Sequence, residues 1–112
     1  MKTLLKNARE QKGLRTREVA QLLGIDQALI SKFENGSRKP TKDQVVKLAS
    51  LLEIDFETLM VAWLKEKILN EIGQDEFALK AMNLVREDIQ NSYALIKKSL
   101  SKNLLAILDE ID

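Results

Sequence analysis

Side chains that commonly perform catalysis or hold metals are scarce in this chain. Its 112 residues include no cysteine and no histidine, which excludes disulfides, thiolate and imidazole metal sites, and Ser-His or Cys-His nucleophile pairs. Glu34 is a candidate acid, but one carboxylate without a partner group makes no active site. We therefore expect no enzyme activity, no catalytic residue, no metal and no cofactor. We interpret Glu34 instead as an anchor for the end of its helix, through Arg9.

Basic side chains are the more informative chemical groups, because they are concentrated in the front half of the chain. Residues 1–47 hold eleven Lys and Arg residues against five Asp and Glu residues, a charge of +6, whereas residues 48–112 carry −5. Such asymmetry indicates a front half that binds a polyanion and a back half with a different use.

Glycine and proline positions divide the front half into short helices. Gly13, Gly24 and Gly36 suit helix ends, and Pro40 prevents the third helix from continuing into the fourth. Alternating strand patterns are absent, so the sequence predicts an all-α fold. The predicted helices cover residues 2–11, 16–23, 27–35, 41–52 and 56–72.

Capping residues and apolar periodicity support these boundaries. Asp26 suits the N-cap of the third helix, Thr41 and Gln44 form a capping box for the fourth, and Asp55 suits the N-cap of the fifth. Apolar residues on the inner faces are expected to form the core. These are Leu5, Ala8, Val19, Ala20, Leu23, Ile25, Ile30, Phe33, Val45, Leu48, Ala49, Leu52, Leu59, Met60, Trp63, Leu64, Ile68 and Ile72.

The back half lacks glycine and proline from Gln74 onward, and its apolar residues recur at steps of three or four. They are Ala78, Met82, Val85, Ile89, Tyr93, Ile96, Leu100, Leu104, Ile107 and Ile111. This spacing predicts helix, but the polar residues around Leu100 leave open one long helix or a hairpin. The row either folds back on its own domain or pairs with another chain. We expect Trp63 and Tyr93 to pack at joints between helices.

Residues 15–36 have the features of two helices that cross steeply after a short turn. Ala20 allows the helices to approach closely, and Gly24 permits the turn. Val19, Ile25, Ile30 and Phe33 would bury the elbow. The side chains left exposed on the third helix are Gln27, Ala28, Ser31 and Lys32.

This segment resembles the phage repressor and Cro type of helix-turn-helix, the Xre family. The similarity continues to about Trp63, over more than half of the chain. It implies a five-helix repressor-like helix-turn-helix domain over residues 1–72, followed by a C-terminal helical extension over residues 74–112. The resembling residues are Leu14, Val19, Ala20, Leu23, Gly24, Ile25, Ile30, Ser31, Lys32, Phe33, Glu34, Asn35, Gly36, Arg38, Lys39, Pro40, Leu48, Ala49 and Leu52.

The resemblance also implies which residues would meet DNA, since the third helix of this family lies in the major groove. Base contacts are implied for Gln27, Ala28, Ser31 and Lys32. By their chemistry, Gln27 suits adenine, Lys32 suits guanine, and Ala28 suits a thymine methyl group. Phosphate contacts, which position without specifying, are implied for Thr16, Arg17, Asn35, Ser37, Arg38, Lys39 and Lys42.

One departure from the family pattern lies at the start of the second helix. Relatives usually carry Ser or Thr followed by Gln where this chain has Arg15 and Thr16. Arg15 cannot cap the helix with an acceptor side chain, although Glu18 remains. The resemblance therefore supports the capping and the phosphate contact at this end less than it supports the fold.

The function that the resemblance implies is sequence-specific transcriptional regulation. We expect a repressor that binds double-stranded DNA as a homodimer, with residues 74–111 as the dimerisation segment. The small architecture is most similar to controller proteins of restriction-modification systems. The alternative is an antitoxin-type module whose C-terminal helices bind a partner protein. No apolar run approaches ~18 residues and charges interrupt residues 1–6, so we expect a cytoplasmic protein without a membrane segment.

Overall fold

Helices account for all the regular structure between residues 1 and 111, and no strand occurs there. The computed structural model describes the backbone of residues 1–111 and, within them, the side chains of all but residue 105 and residues 108–111. The all-α class is confirmed. The five helices predicted over residues 2–72 and the helical extension are confirmed as well. The helices are α1 (Lys2–Gln11), α2 (Thr16–Leu23), α3 (Gln27–Asn35), α4 (Lys42–Leu51), α5 (Phe56–Ile72) and α6 (Ala78–Ile111).

Local backbone chemistry explains where the helices around the turn begin and end. Gly24 ends α2 with a φ of 66°, a left-handed conformation that glycine adopts without steric strain. The Asp26 carboxylate accepts the Ala28 N–H at 3.4 Å, and so caps α3. At α4, the Gln44 N–H donates to Thr41 Oγ1 at 3.2 Å and the Thr41 N–H donates to Gln44 Oε1 at 2.8 Å. The predicted N-cap and capping box are therefore confirmed.

The chain divides into two units, Met1–Glu71 and Ile72–Asp112. The first unit has an apolar core, to which each of its five helices contributes. Four predicted core residues, Ala8, Leu23, Ile25 and Met60, are only partly buried and pack against it. The buried core residues are Leu5, Val19, Ala20, Ile30, Phe33, Val45, Leu48, Ala49, Leu52, Leu59 and Trp63.

Two residues predicted to lie on the inner face of α5 are exposed. Leu64 and Ile68 leave 47% and 40% of their surface open, so that prediction was wrong. Trp63 is the last residue of α5 in the core cluster. The apolar period of a helix shows which residues share a face, but not how far along the helix that face is covered.

The N-cap of α5 is a carboxylate, that of Asp55, and its contribution to stability therefore depends on pH. The Thr58 hydroxyl and the Thr58 backbone N–H donate to Asp55 Oδ2 at 2.7 and 3.0 Å. These two bonds, the side-chain bond first, hold the pKa of Asp55 below its ordinary value of 3.8. They stabilise the charged carboxylate of the folded protein.

The stability that Asp55 contributes is complete above its ordinary pKa and is lost as the pH falls through its lowered folded-state pKa. We expect Asp55→Asn to lower the melting temperature at neutral pH and to flatten its decline below about pH 4. Melting temperature against pH, followed by circular dichroism, tests this. Glu57→Gln removes an exposed carboxylate from the same helical turn and is the matched control. An equally flattened curve for both variants contradicts the assignment.

The second unit consists of α6 and the turn before it. Asp75 Oδ1 accepts the Phe77 N–H at 2.8 Å, and the Ala78 N–H donates to the Asp75 carbonyl at 3.1 Å. The helix therefore starts at Ala78, four residues later than Gln74. It continues as a single helix of 34 residues, so the hairpin does not form. Polar residues near Leu100 do not break the helix, because none of them is glycine or proline.

The described members of the apolar row of α6 are exposed or half-buried. None of the residues of α6 whose side chains are described is buried, and Ala78 and Met82 are half-buried. Tyr93 leaves 67% of its surface open, so it does not pack at a joint between helices here. Ile111, the last residue of the predicted row, lies outside the described side chains.

Candidate nucleic-acid interface

The α2–α3 elbow fixes which side of α3 is presented outward. Ile30 and Phe33 point into the core with 3% and 2% of their surface exposed, next to Val19 and Ala20 of α2. Helical periodicity then places the opposite side of α3 in solvent. All four predicted base-contacting residues, Gln27, Ala28, Ser31 and Lys32, are exposed there.

An ion pair holds α3 against α1. The Arg9 guanidinium donates through Nε and Nη2 to the two Glu34 carboxylate oxygens at 2.7 and 2.9 Å. A third bond, from Nη1 to the Leu14 carbonyl, measures 2.9 Å. The hydrogen bond with Glu34 raises the pKa of Arg9, and burial partly opposes it. The proposed anchoring of Glu34 through Arg9 is confirmed.

The first residue of α3 is linked to the first residue of α2. The Gln27 side-chain amide donates from Nε2 to Thr16 Oγ1 at 3.2 Å. This bond takes one of the two amide N–H groups and leaves the second, together with Oε1, available to a ligand. The structure thus brings a predicted base contact and a predicted phosphate contact together.

The start of α2 lacks a side-chain cap, as expected for Arg15. The Glu18 carboxylate instead accepts the Arg15 backbone N–H at 3.1 Å, and the Glu18 N–H bonds to the Arg15 carbonyl at 3.0 Å. Thr16 is half-buried and Arg17 is exposed at this end. The partial positive charge of a helix N-terminus favours an anion, and Arg17 adds a full charge to it.

The loop between α3 and α4 is fixed at both ends. Asn35 Oδ1 accepts the Ser37 N–H at 2.8 Å, which shapes the turn after α3. Trp63 of α5 donates its indole N–H to the Pro40 carbonyl at 2.8 Å, in the interior of the unit. Lys67 Nζ lies 5.1 Å from the centre of the Trp63 ring, on the same helix. The loop is therefore tied to α5.

The cations of this loop differ in their access to solvent. Arg38 and Lys42 are exposed, whereas Lys39 is half-buried. Lys39 Nζ is sealed from solvent and has no hydrogen-bond partner among the described residues. Lys39 therefore differs from Arg38 and Lys42 in that the surrounding residues cover its ammonium group.

Lys6 is a further cation near these groups that carried no motif signal. It lines a cleft together with Thr16, Ser31 and Asn35. The concentration of positive charge in residues 1–47 was the only sign of it. Among the described residues, no side-chain hydrogen bond or ion pair joins Arg17, Lys32 or Lys42 to the other predicted site residues.

The described residues contain no group of three or more acidic side chains placed to hold a metal ion. None of the helices described is both long enough and apolar enough to cross a membrane. What the surface offers is an exposed polar helix face, a loop tied to the core, and cations around both. These features suit a long polyanion whose edges carry hydrogen-bonding groups.

Known proteins resemble this chain in sequence. A helix-turn-helix family model matches residues 5–59. The HTH-type transcriptional regulator ImmR of Bacillus subtilis (strain 168) is 31% identical over 119 residues, which cover 96% of this chain and 92% of ImmR. The ImmF control region 10 kDa protein of Bacillus phage phi105 is 29% identical over 75 residues, covering 67% of this chain and 81% of that protein.

A third relative is the uncharacterized HTH-type transcriptional regulator YqaE of Bacillus subtilis (strain 168), 32% identical over 79 residues, or 70% of this chain and 64% of YqaE. No solved structure matches the chain. The residues that this family model matches include the whole of α2 and α3. The chain therefore belongs to the Xre-like family of helix-turn-helix proteins and is a DNA-binding transcriptional regulator.

Proposed function

We propose that this regulator is a sequence-specific repressor that binds double-stranded DNA as a homodimer and acts by occluding a promoter. In each half-site α3 would lie in the major groove. The observation that carries the proposal is the contrast between the two sides of α3. One side is fixed to the core and to Arg9, and the other presents four side chains to solvent: Gln27, Ala28, Ser31 and Lys32.

Each of these groups matches the edge of a base. Gln27 would accept from adenine N6 with Oε1 and donate to adenine N7 with the N–H that Thr16 does not use. Lys32 would donate to guanine O6 and N7, and Ala28 would contact a thymine methyl group. The Ser31 hydroxyl can donate or accept a hydrogen bond at a base edge. A good bidentate contact is worth about 1–3 kcal/mol of discrimination.

Phosphate contacts would fix the register of the complex. Arg38, which is exposed, can reach a phosphate as it stands, whereas Lys39 must first leave its sealed position. We add Lys6 because of its place beside Thr16. The complete set that we propose is Lys6, Thr16, Arg17, Asn35, Ser37, Arg38, Lys39 and Lys42.

Dimeric binding follows from the small size of one reading surface. One α3 helix reads only a few base pairs, and two copies related by a two-fold axis double the contacts over half-sites about one DNA turn apart. We assign no catalytic residue, metal or cofactor to this function. We propose that the regulator acts on DNA in the cytoplasm. In the antitoxin alternative, the exposed row of α6 would bind a different protein.

Selection of binding sites from random duplexes tests base reading directly. We expect the wild type to select a two-fold symmetric site, and Gln27→Ala to lose preference at one base pair per half-site, with affinity for the wild-type site reduced about 10- to 100-fold. A preference that the variant leaves unchanged removes Gln27 from base reading. Failure of the wild type to bind any duplex in a salt-sensitive manner rejects the proposed DNA contacts as a whole.

Arg38→Ala is the matched comparison in this experiment. A phosphate contact is blind to sequence, so this variant should weaken all duplexes alike. It should also reduce the slope of log affinity against log salt by about one. Loss on a single sequence, with the slope unchanged, would assign Arg38 to base reading instead.

A further inference from the structure

The apolar row of α6 follows an 11-residue repeat. We define the α6 stripe as Met82, Val85, Ile89, Tyr93, Ile96, Leu100, Leu104 and Ile107. Its steps are three, four and four residues, so that Met82, Tyr93 and Leu104 occupy equivalent positions. Eleven residues in three turns give about 3.67 residues per turn, slightly more than the 3.6 of a straight helix. The stripe therefore stays on one face along the whole of this length.

The stripe is exposed over an area that matches a stable interface. From Val85 to Ile107, its members leave between 43% and 67% of their surface open. Together they offer on the order of the 800 Å² that each partner covers in a standard protein interface. An apolar face of that size on a soluble chain marks an interaction site.

We propose that a second copy of this chain covers the α6 stripe with its own α6 stripe, over residues 82–107. The helix pair is nearly straight, with a right-handed supercoil, as an 11-residue repeat requires. This inference rests on the proposed homodimer and identifies the face and the geometry that form it.

A second copy is the occupant that fits the stripe best, because it carries the same repeat over the same length. Two-fold association buries identical surfaces against each other, so a self-complementary stripe closes the assembly at two copies. A different protein would need an apolar helix face of matching length. A seven-residue repeat counted from Met82 would leave Val85 and Leu104 outside the pairing face.

The chain offers a matched control for the face that pairs. Leu95 is adjacent to Ile96 but lies about 100° around the helix from it. The two residues are similarly open, with 68% and 60% of their surface exposed. A charge at either position has the same effect on the helix itself, so only the interface distinguishes them.

Sedimentation equilibrium over a concentration series tests the proposal with the full chain. The wild type should be dimeric, Ile96→Glu should raise the dimer Kd at least about 100-fold by burying a charge in an apolar interface, and Leu95→Glu should change it less than about threefold. Circular dichroism checks that both variants stay helical. A monomeric wild type, or equal weakening by the two variants, overturns the proposal.

Single-cysteine variants test the geometry, since the natural chain has no cysteine. The 11-residue repeat places position 104 in the seam, whereas a seven-residue repeat counted from Met82 would place position 103 there. In the dimer, a water-soluble maleimide should modify Leu104→Cys more slowly than Asn103→Cys. The reverse order overturns the 11-residue geometry.

The same preparations separate this inference from DNA reading. A wild type that binds a duplex with one half-site in a salt-sensitive manner but stays monomeric rejects the second copy and keeps the α3 contacts. If the wild type forms a dimer that Ile96→Glu dissociates, and this wild type binds no duplex, the pairing is supported and the proposed DNA contacts are rejected.

Discussion

Replacing Glu34 by alanine is expected to lower the free energy of unfolding of the first unit by about 3 kcal/mol, because it leaves a largely buried arginine without its partner. Only 13% of the Arg9 side chain and 10% of the Glu34 side chain are exposed. Two of the three hydrogen bonds that Arg9 makes would be lost. Urea denaturation, followed by circular dichroism at constant pH and salt, measures the loss.

Glu10 supplies the control for this prediction. Its carboxylate lies 3.9 Å from Arg9 Nη2 and its side chain is 54% exposed. An exposed pair of this kind contributes little, so Glu10→Ala should cost less than about 1 kcal/mol. Similar losses for the two variants would show that the bidentate geometry with Glu34 has no special weight. Because Glu34 lies on α3, its removal should also weaken operator binding more than Glu10→Ala does.

Replacing Trp63 by alanine is expected to cost about 3–5 kcal/mol, the usual range for removing a large buried aromatic side chain. Trp63 is 9% exposed, and its indole N–H satisfies the Pro40 carbonyl. Trp63→Phe keeps most of the apolar volume but removes the donor. It should cost about 1–3 kcal/mol, since a buried carbonyl loses its partner. Chemical denaturation monitored by circular dichroism tests both variants.

Lys67→Ala separates the hydrogen bond from the cation above the ring. Lys67 Nζ lies 5.1 Å from the ring centre, and a cation–π contact at an exposed position is worth about 0.5–1 kcal/mol. Trp63→Phe should therefore destabilise the protein more than Lys67→Ala does. The opposite order would mean that the Pro40 carbonyl finds another donor when the indole is absent.

The α2–α3 elbow could be predicted because its determinants are local in sequence. Gly24 and Asp26 set the turn through backbone conformation and capping, which depend on a few neighbouring residues. The outward face of α3 followed from helical periodicity once Ile30 and Phe33 were assigned to the core. The contact between Arg9 and Glu34 was a hypothesis at the level of the sequence, and the structure confirms it.

Side-chain positions that depend on distant elements could not be obtained in the same way. The sealed position of Lys39 Nζ and the bond from Gln27 to Thr16 depend on how separate helices meet. The exposure of Leu64 depends on where the core ends along α5, which the apolar period does not encode. Roles in DNA binding came from resemblance, because exposed polar residues do not by themselves show what they bind.

The pairing of Arg9 with Glu34 also affects the net charge that α3 presents. The helix has two ionisable side chains, Lys32 and Glu34, which would cancel each other if both faced the same solvent. Arg9 neutralises the carboxylate through hydrogen bonds of 2.7 and 2.9 Å. The ammonium of Lys32 is then the uncompensated charge that an approaching phosphate backbone meets first. A residue of α1 thereby makes α3 more attractive to a polyanion.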